Sequence, residues 1–403
     1  MAKKHNIEEL AIFGGPRIFS SPKPTSNLAR PDFSRFLEYS KRFFDQHQYT
    51  SGVVTKELER RLAAFHQTEF CIAFCSGFWA LALTIRALAR AGRSEIVIPA
   101  FTYRRMADIA AWMKLKPHFC DVEEDTLASS AATVRPCINE HTSLIVGVHP
   151  IVDLCDIAGL VDLAKETNIP LIFDSVESVY ESFDGRKIGC FGAAEVVSLG
   201  ASKLINGFEG GYVTTNDPTL AERLKALRDF GKQSGKIVVP GGLNARLNEI
   251  HATMALAALD GLEEQITQNR ERYRAYQRLL AGVKGMRVLE FDENHRPGYK
   301  NIVVEVLTAW PLSRDETVRI LNAEMILARA YYTPPLHRKE MAYPYVPAEL
   351  PITDRLAERF ILFPCGQLVS TGDISEIVDL LKFMSTNSSS IEARSQQPGY
   401  PRT

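Results

Sequence analysis

The chain lacks any apolar run long enough to cross a membrane. Its longest, Cys71 to Ile85, is broken by Ser76-Gly77 and falls short of the roughly 20 residues a spanning helix needs. It also has almost no net charge. Its 47 basic and 48 acidic residues leave a formal charge of −1, so no broad basic field attracts nucleic acid or acidic lipid, although a small phosphate pocket stays open. Paired cysteines are missing too. The seven cysteines are scattered with no CxxC spacing and read as reduced thiols of a cytoplasmic protein, with neither a metal site nor a disulfide framework. No internal repeat is present. Lys3-Lys4 leads into polar Glu8-Glu9 rather than an apolar segment, so a secretory signal is not expected.

What the chain has is bulk and alternation. Its 403 residues, 45% of them hydrophobic, can bury a large core and suggest about two or three structural units. From about Phe70 to Asp217, short apolar or β-branched runs alternate with segments of helical period. Ile96 to Ile98, Leu144 to Val148, Leu171 to Phe173 and Val196 to Ser198 are strand candidates; Leu160 to Thr167 and Leu220 to Phe230 are helix candidates. This alternation predicts an α/β fold with a mainly parallel sheet and crossover helices. Beyond Pro240-Gly241-Gly242 a helical period runs from Asn248 to Leu280.

The expected organisation begins with an N-terminal segment, 1–65, packed on the large domain or on a partner. A large domain, 66–247, and a linking helix, 248–282, follow. A smaller α+β domain, 283–384, then has a strand at Ile302 to Val306 and a helix at Arg314 to Asn322. The polar tail, 385–403, is expected to be disordered.

Two residues carry the chemistry. Lys203 follows the strand candidate that ends at Ser198 and precedes the turn Glu209-Gly210-Gly211; Asp174 ends the run Pro170 to Phe173. A lysine becomes a Schiff-base nucleophile when a confined site lowers its pKa and holds it against an aldehyde. An acid at a strand end can pair with a protonated pyridine nitrogen, and on local grounds it is equally a helix N-cap or a turn acid. In open parallel sheets the ligand sits beyond the carboxyl ends of the strands, which is where Asp174 and Ser198 both fall.

Strand, acid, second strand, serine and lysine, in that order, resemble the pyridoxal-phosphate (PLP) enzymes of fold type I. The closer resemblance is to the DegT/DnrJ/EryC1/StrS family of sugar and aminocyclitol aminotransferases. It runs from Tyr49-Thr50-Ser51-Gly52 to Leu362-Phe363-Pro364. Between them come Cys75-Ser76-Gly77, Ile98 to Tyr103, Phe173-Asp174-Ser175-Val176-Glu177, Ser198 with Lys203, Leu243 to Glu249, and Tyr331 to His337.

The resemblance implies pyridoxal 5'-phosphate as cofactor, with Lys203 bonded to it and Asp174 on its ring nitrogen. Ser198 and the helix start at Gly77 would bind the phosphate. Tyr103 would stack on the ring, Asn244 would reach the phosphate of a neighbouring subunit, and His337 would lie near the substrate entrance. The chain departs from the family at Phe78-Trp79, where threonine and alanine are usual. Trp79 then packs under the phosphate or narrows the substrate entrance, unless both rings face the core. It departs again at Glu177, where glutamine is usual. That carboxyl is either raised in pKa beside Asp174, or faces a cation such as Arg329 or a substrate amine, or points to solvent. Relatives that dehydrate sugars carry histidine in place of the lysine, so Lys203 argues against that reaction.

The function implied is amino transfer from glutamate or glutamine to a keto-sugar, often nucleotide-linked, or to a keto-cyclitol. The sites would be shared across a homodimer, without nucleic-acid or membrane partners. A PLP enzyme of the same fold with another outcome and a non-catalytic relative are the alternatives.

Overall fold

The computed structural model describes residues 3–44, 46–47 and 49–397. Seven strands form its main sheet: Phe70–Phe74 (β1), Glu95–Pro99 (β2), Lys116–Cys120 (β3), Thr142–Val148 (β4), Leu171–Asp174 (β5), Ala194–Ser198 (β6) and Gly211–Thr215 (β7). Their order is β1-β7-β6-β5-β4-β2-β3. From β6 to β3 every pairing is parallel, and β7 runs antiparallel to both neighbours. The all-apolar strands belong where helices cover both faces of a sheet.

Successive side chains take opposite faces. Ile96 and Ile98 pack with Ala80, Leu83 and Leu224, from helices Gly77–Leu88 and Pro218–Arg228. Val97, Ile145 and Phe173 pack with Leu160 and Leu163 of helix Ile157–Thr167 on the other face. The fold is therefore α/β, with the mainly parallel sheet that the alternation predicts.

The single helical period from Asn248 to Leu280 resolves into two helices, Glu249–Asp260 and Leu262–Leu280, divided at Gly261, a residue with low helix propensity. The smaller domain follows. Its antiparallel sheet takes the order β8-β9-β11-β10, from Met286–Val288 (β8), Ile302–Val306 (β9), Arg329–Tyr331 (β10) and Phe360–Phe363 (β11). Helices Arg314–Ala323 and Thr371–Thr386 pack into the same core.

Both ends of the chain depart in part from expectation, although helix Val53–His66 packs on the large-domain sheet as expected. The first part of the N-terminal segment docks on the small domain: Lys23–Pro24 pairs in parallel with Ile326–Leu327, and the Glu324 carboxylate accepts from the backbone N–H groups of Ala11 and Ile18, both at 2.8 Å. The tail is not disordered throughout. Ser388–Ser395 is helical, because Ile391 gives it a buried anchor and Ser395 Oγ donates to Glu316 Oε1 at 2.9 Å. Residues 398–403, in the same expected tail, lie outside the described residues.

Candidate active site

Asp174 is the last residue of β5 and Ser198 the last of β6, while β2 and β4 lead directly into Ala100 to Tyr103 and His149-Pro150. All four strand ends open on the same sheet edge. There a cavity of about 510 Å³ has Gly77, Phe78, Tyr103, Asp174, Glu177, Ser198 and Lys203 among its walls.

Backbone bonds shape the loop that carries Lys203. Leu199 N donates to Gly210 O at 2.9 Å, Gly207 N to Leu199 O at 2.8 Å and Lys203 N to Gly200 O at 2.9 Å. The loop thus leaves β6 and returns into β7 over a short span. Gly210 has φ +133°, a conformation open to glycine and strained for other residues.

One end of the cavity suits a phosphate. A Cβ at Gly77 would lie 2.8 Å from Ser198 Cβ, so glycine is what lets the helix start reach the end of β6. Ser76 Oγ accepts from Trp79 N at 3.2 Å, while Gly77 and Phe78, in the first helical turn, line the cavity. First-turn N–H groups have no intrahelical partner and favour an anion. Ser198 Oγ adds a hydroxyl, itself accepting from Gly200 N at 3.2 Å.

The other end is charged. Burial pushes Asp174 up to about 6, against a bond from Val176 N to its Oδ1 at 3.2 Å and against the nearby Lys203. A buried acid of this kind awaits a cation. Lys203 Nζ donates to Glu177 Oε1 at 2.7 Å. Burial alone would lower Lys203, but the Glu177 carboxylate outweighs it and leaves the amine above its ordinary value. The lowered lysine expected from sequence is therefore not what this structure holds.

Of the readings of Glu177, the one that has it face a cation holds, with lysines in the place of Arg329. Burial works against its charge, yet Lys203 and Lys300 together hold the carboxyl far below its usual range. It is neither raised nor solvent-facing, and its second cation is Lys300 rather than Arg329. Arg329 is exposed on β10, away from the cavity walls.

Three further candidates also stand outside the cavity walls. Trp79 is half-buried, with ring centroids 5.1 Å from Phe78 and 6.0 Å from Trp112, and packs against the large-domain core, as the core-facing reading has it. Asn244 is exposed, its Oδ1 accepting from Arg246 Nε at 3.3 Å. His337 is buried, with Nε2 3.0 Å from Asp354 Oδ1 but off the hydrogen-bond direction. The Leu336 N to Ala100 O bond at 3.0 Å ties its turn to the loop after β2.

The sequence reading missed Lys300, Asn301 and His149. His149 lines the cavity, with its ring stacked on Phe173 at 5.4 Å and its backbone N–H donating to Asp174 O at 3.1 Å. Its place at the end of a strand was the available signal. Lys300 and Asn301 precede β9, and nothing local marks them.

A lysine amine, a buried acid, a half-exposed tyrosine and a glycine-shaped anion end around one cavity fit PLP. The profile of the DegT/DnrJ/EryC1/StrS aminotransferase family matches residues 33–382. The chain belongs to that family. DegT-family relatives span nearly its full length. A dTDP-4-amino-4,6-dideoxy-D-glucose transaminase of Escherichia coli is 24% identical over 364 residues, covering 89% of this chain and 97% of the relative. An L-glutamine:2-deoxy-scyllo-inosose aminotransferase of Streptomyces paromomycinus is 26% identical, covering 85% and 82%. The crystal structure of DesI with its TDP-sugar product superposes with a TM-score of 0.90 at 33% identity, covering 97% of this chain and all of that one. The protein is a PLP-dependent aminotransferase of fold type I.

Proposed function

We propose that the protein moves an amino group from glutamate or glutamine to a keto-sugar, often nucleotide-linked, or to a keto-cyclitol, in a biosynthetic pathway. The observation that carries this reading is the gathering of Lys203, Asp174, Ser198 and Gly77 on one cavity at the carboxyl edge of the sheet. The relatives' names supply the acceptor class: a dideoxyglucose transaminase and a deoxy-inosose aminotransferase.

When bound, PLP supplies an electron sink for charge developing on the substrate carbon. The protein's own groups do the rest. Gly77, Phe78 and Ser198 would hold the phosphate, Asp174 would keep a proton on the ring nitrogen through a charge-assisted bond, and Tyr103 would face the ring. Lys203 Nζ accepts and returns the migrating proton, with Glu177 facing it. The donor and acceptor use the same groups in turn, which predicts ping-pong kinetics.

The active unit in this reading is a cytoplasmic homodimer. Supporting it are the exposed aromatics Phe33, Phe44, Tyr49, Phe208 and Phe230 and the outward-facing Asn244, which can serve a neighbour's site rather than its own. Among the described residues no helix is long and apolar enough to cross a membrane.

The test is the absorbance of the purified protein, followed as amino donors are added. A visible PLP band that bleaches with glutamate or glutamine and returns with a keto-sugar bears the reading out. A protein that takes up no PLP, or whose band ignores every amino donor, points to a non-catalytic relative.

A further inference from the structure

Three side chains meet on Glu177, that of Lys203 and those of the consecutive pair Lys300 and Asn301. Glu177 Oε1 accepts from Lys203 Nζ at 2.7 Å, while its Oε2 accepts from Lys300 Nζ and, at 3.0 Å, from Asn301 Nδ2. Lys203 and Glu177 line the cavity; Lys300 is buried behind them. Asn301 Nδ2 also lies 3.5 Å from Ile151 O, which ties the approach to β9 to the loop after β4. A buried ammonium persists only opposite a counter-charge, and Glu177 is the carboxylate that touches this one. A neutral amide at 177 would strand Lys300. The acid at 177 and the lysine at 300 therefore account for each other.

We propose that Lys300 is a positioning residue of the active site: by taking one oxygen of Glu177 it holds the other on Lys203 Nζ, and by sharing the carboxylate's charge it sets how readily Lys203 gives up its proton. Lys300 touches no reacting atom. The idea deepens the reading of Lys203 as the reacting amine and rests on it.

Two ammonium groups share one carboxylate, so the two partners act with opposite sign. Removing Lys300 leaves the whole negative charge to Lys203 and makes its proton harder to remove. Neutralising Glu177 takes away the carboxylate that holds the Lys203 proton and makes removal easier. A pair that merely held the fold together would move the Lys203 titration in neither direction.

Competitive labelling of the cofactor-free full-length chain with acetic anhydride over a pH series, read lysine by lysine by peptide mass spectrometry, gives the Lys203 midpoint directly. Lys300→Met should raise it by roughly one pH unit and Glu177→Gln should lower it by a similar amount, with Lys300→Arg close to wild type. Equal midpoints in all four proteins overturn the proposal. Should Lys300→Met fail to fold, Lys300→Gln, which keeps a donor to Glu177 and loses the charge, decides the matter. A Lys203 midpoint above wild type in Lys300→Gln supports the charge role of Lys300, and a wild-type midpoint sinks it. Repeating the series on the visible band of the PLP-loaded protein separates the two levels. Shifted labelling without any band retains the Lys300 effect and removes the cofactor reading, whereas a band with unshifted labelling does the reverse.

Discussion

A Cβ on Gly211 would lie 2.5 Å from the Cα of Gly77. The first residue of β7 is thus pressed against the helix start that faces the cavity, and both sides of the contact are backbone. Gly211→Ala cannot be absorbed by turning a side chain aside. Overpacking of this kind costs on the order of 1–3 kcal/mol, and here it also pushes the helix start off the cavity. We expect a lower denaturation midpoint and at least tenfold weaker PLP uptake, measured by chemical unfolding and by absorbance titration. An alanine variant with wild-type PLP affinity would separate this contact from the anion end.

Lys203→Ala should abolish covalent attachment of the cofactor, because Lys203 is the lysine on the cavity wall. Borohydride reduction of the wild-type holoenzyme followed by peptide mapping should place the pyridoxyl group on Lys203. Recovery of the label on Lys300, the other lysine on Glu177, would exchange their roles.

Asp174→Asn should slow turnover by several orders of magnitude while lowering PLP occupancy far less, since the phosphate end and Lys203 hold the cofactor while the acid tunes its ring. Single-turnover absorbance changes would show it. Unchanged rates would remove Asp174 from this role.

The same acid gives the cofactor-free protein a pH signature. Folded Asp174 titrates near 6, pushed up by burial, against an ordinary 3.8. Between those values the folded chain binds more protons than the unfolded one, so this group's contribution is fully present below about pH 4 and is lost as pH rises through 6. Its size is on the order of 3 kcal/mol at most. Urea unfolding of the cofactor-free protein from pH 4 to 7 should show that decline, and Asp174→Asn should flatten it. A curve of the same slope in both proteins would assign the decline to other groups, such as buried Glu195, which burial raises to about 7.

The proposed sharing of sites across a dimer makes a prediction for mixtures. Asn244→Ala and Lys203→Ala subunits, each inactive or weak alone, should regain part of the activity when mixed, because one of the two sites in a mixed dimer recovers both groups. The regained rate should rise with the fraction of mixed dimer seen by native mass spectrometry. No recovery at any ratio would place Asn244 outside the neighbour's site.

Much of the fold was legible before any coordinates, for a local reason. Strand and helix periods are written within a few residues, so Ile96 to Ile98, Leu171 to Phe173 and Val196 to Ser198 could be read as strands. The parallel-sheet rule then put Asp174 and Ser198 on one edge. Gly210 and Gly211 carried their own constraint, a positive φ and a close backbone approach. Which charges meet is not written locally. Glu177 and Lys300 lie 123 positions apart, and only the docking of the small domain on the large one brings them together. The same docking leaves the Arg329 side chain exposed and off the cavity walls. His337 and Trp79 fell within recognisable stretches yet stand outside the cavity walls, because a side chain's place follows from the packing around it. The helix Ser388–Ser395 likewise depends on a partner, a core that accepts Ile391, in a stretch whose composition alone reads as disordered. Composition and period decide what each segment can become; long-range contacts decide which charges are buried together, because a buried ammonium and its carboxylate stabilise one another only once both have left water.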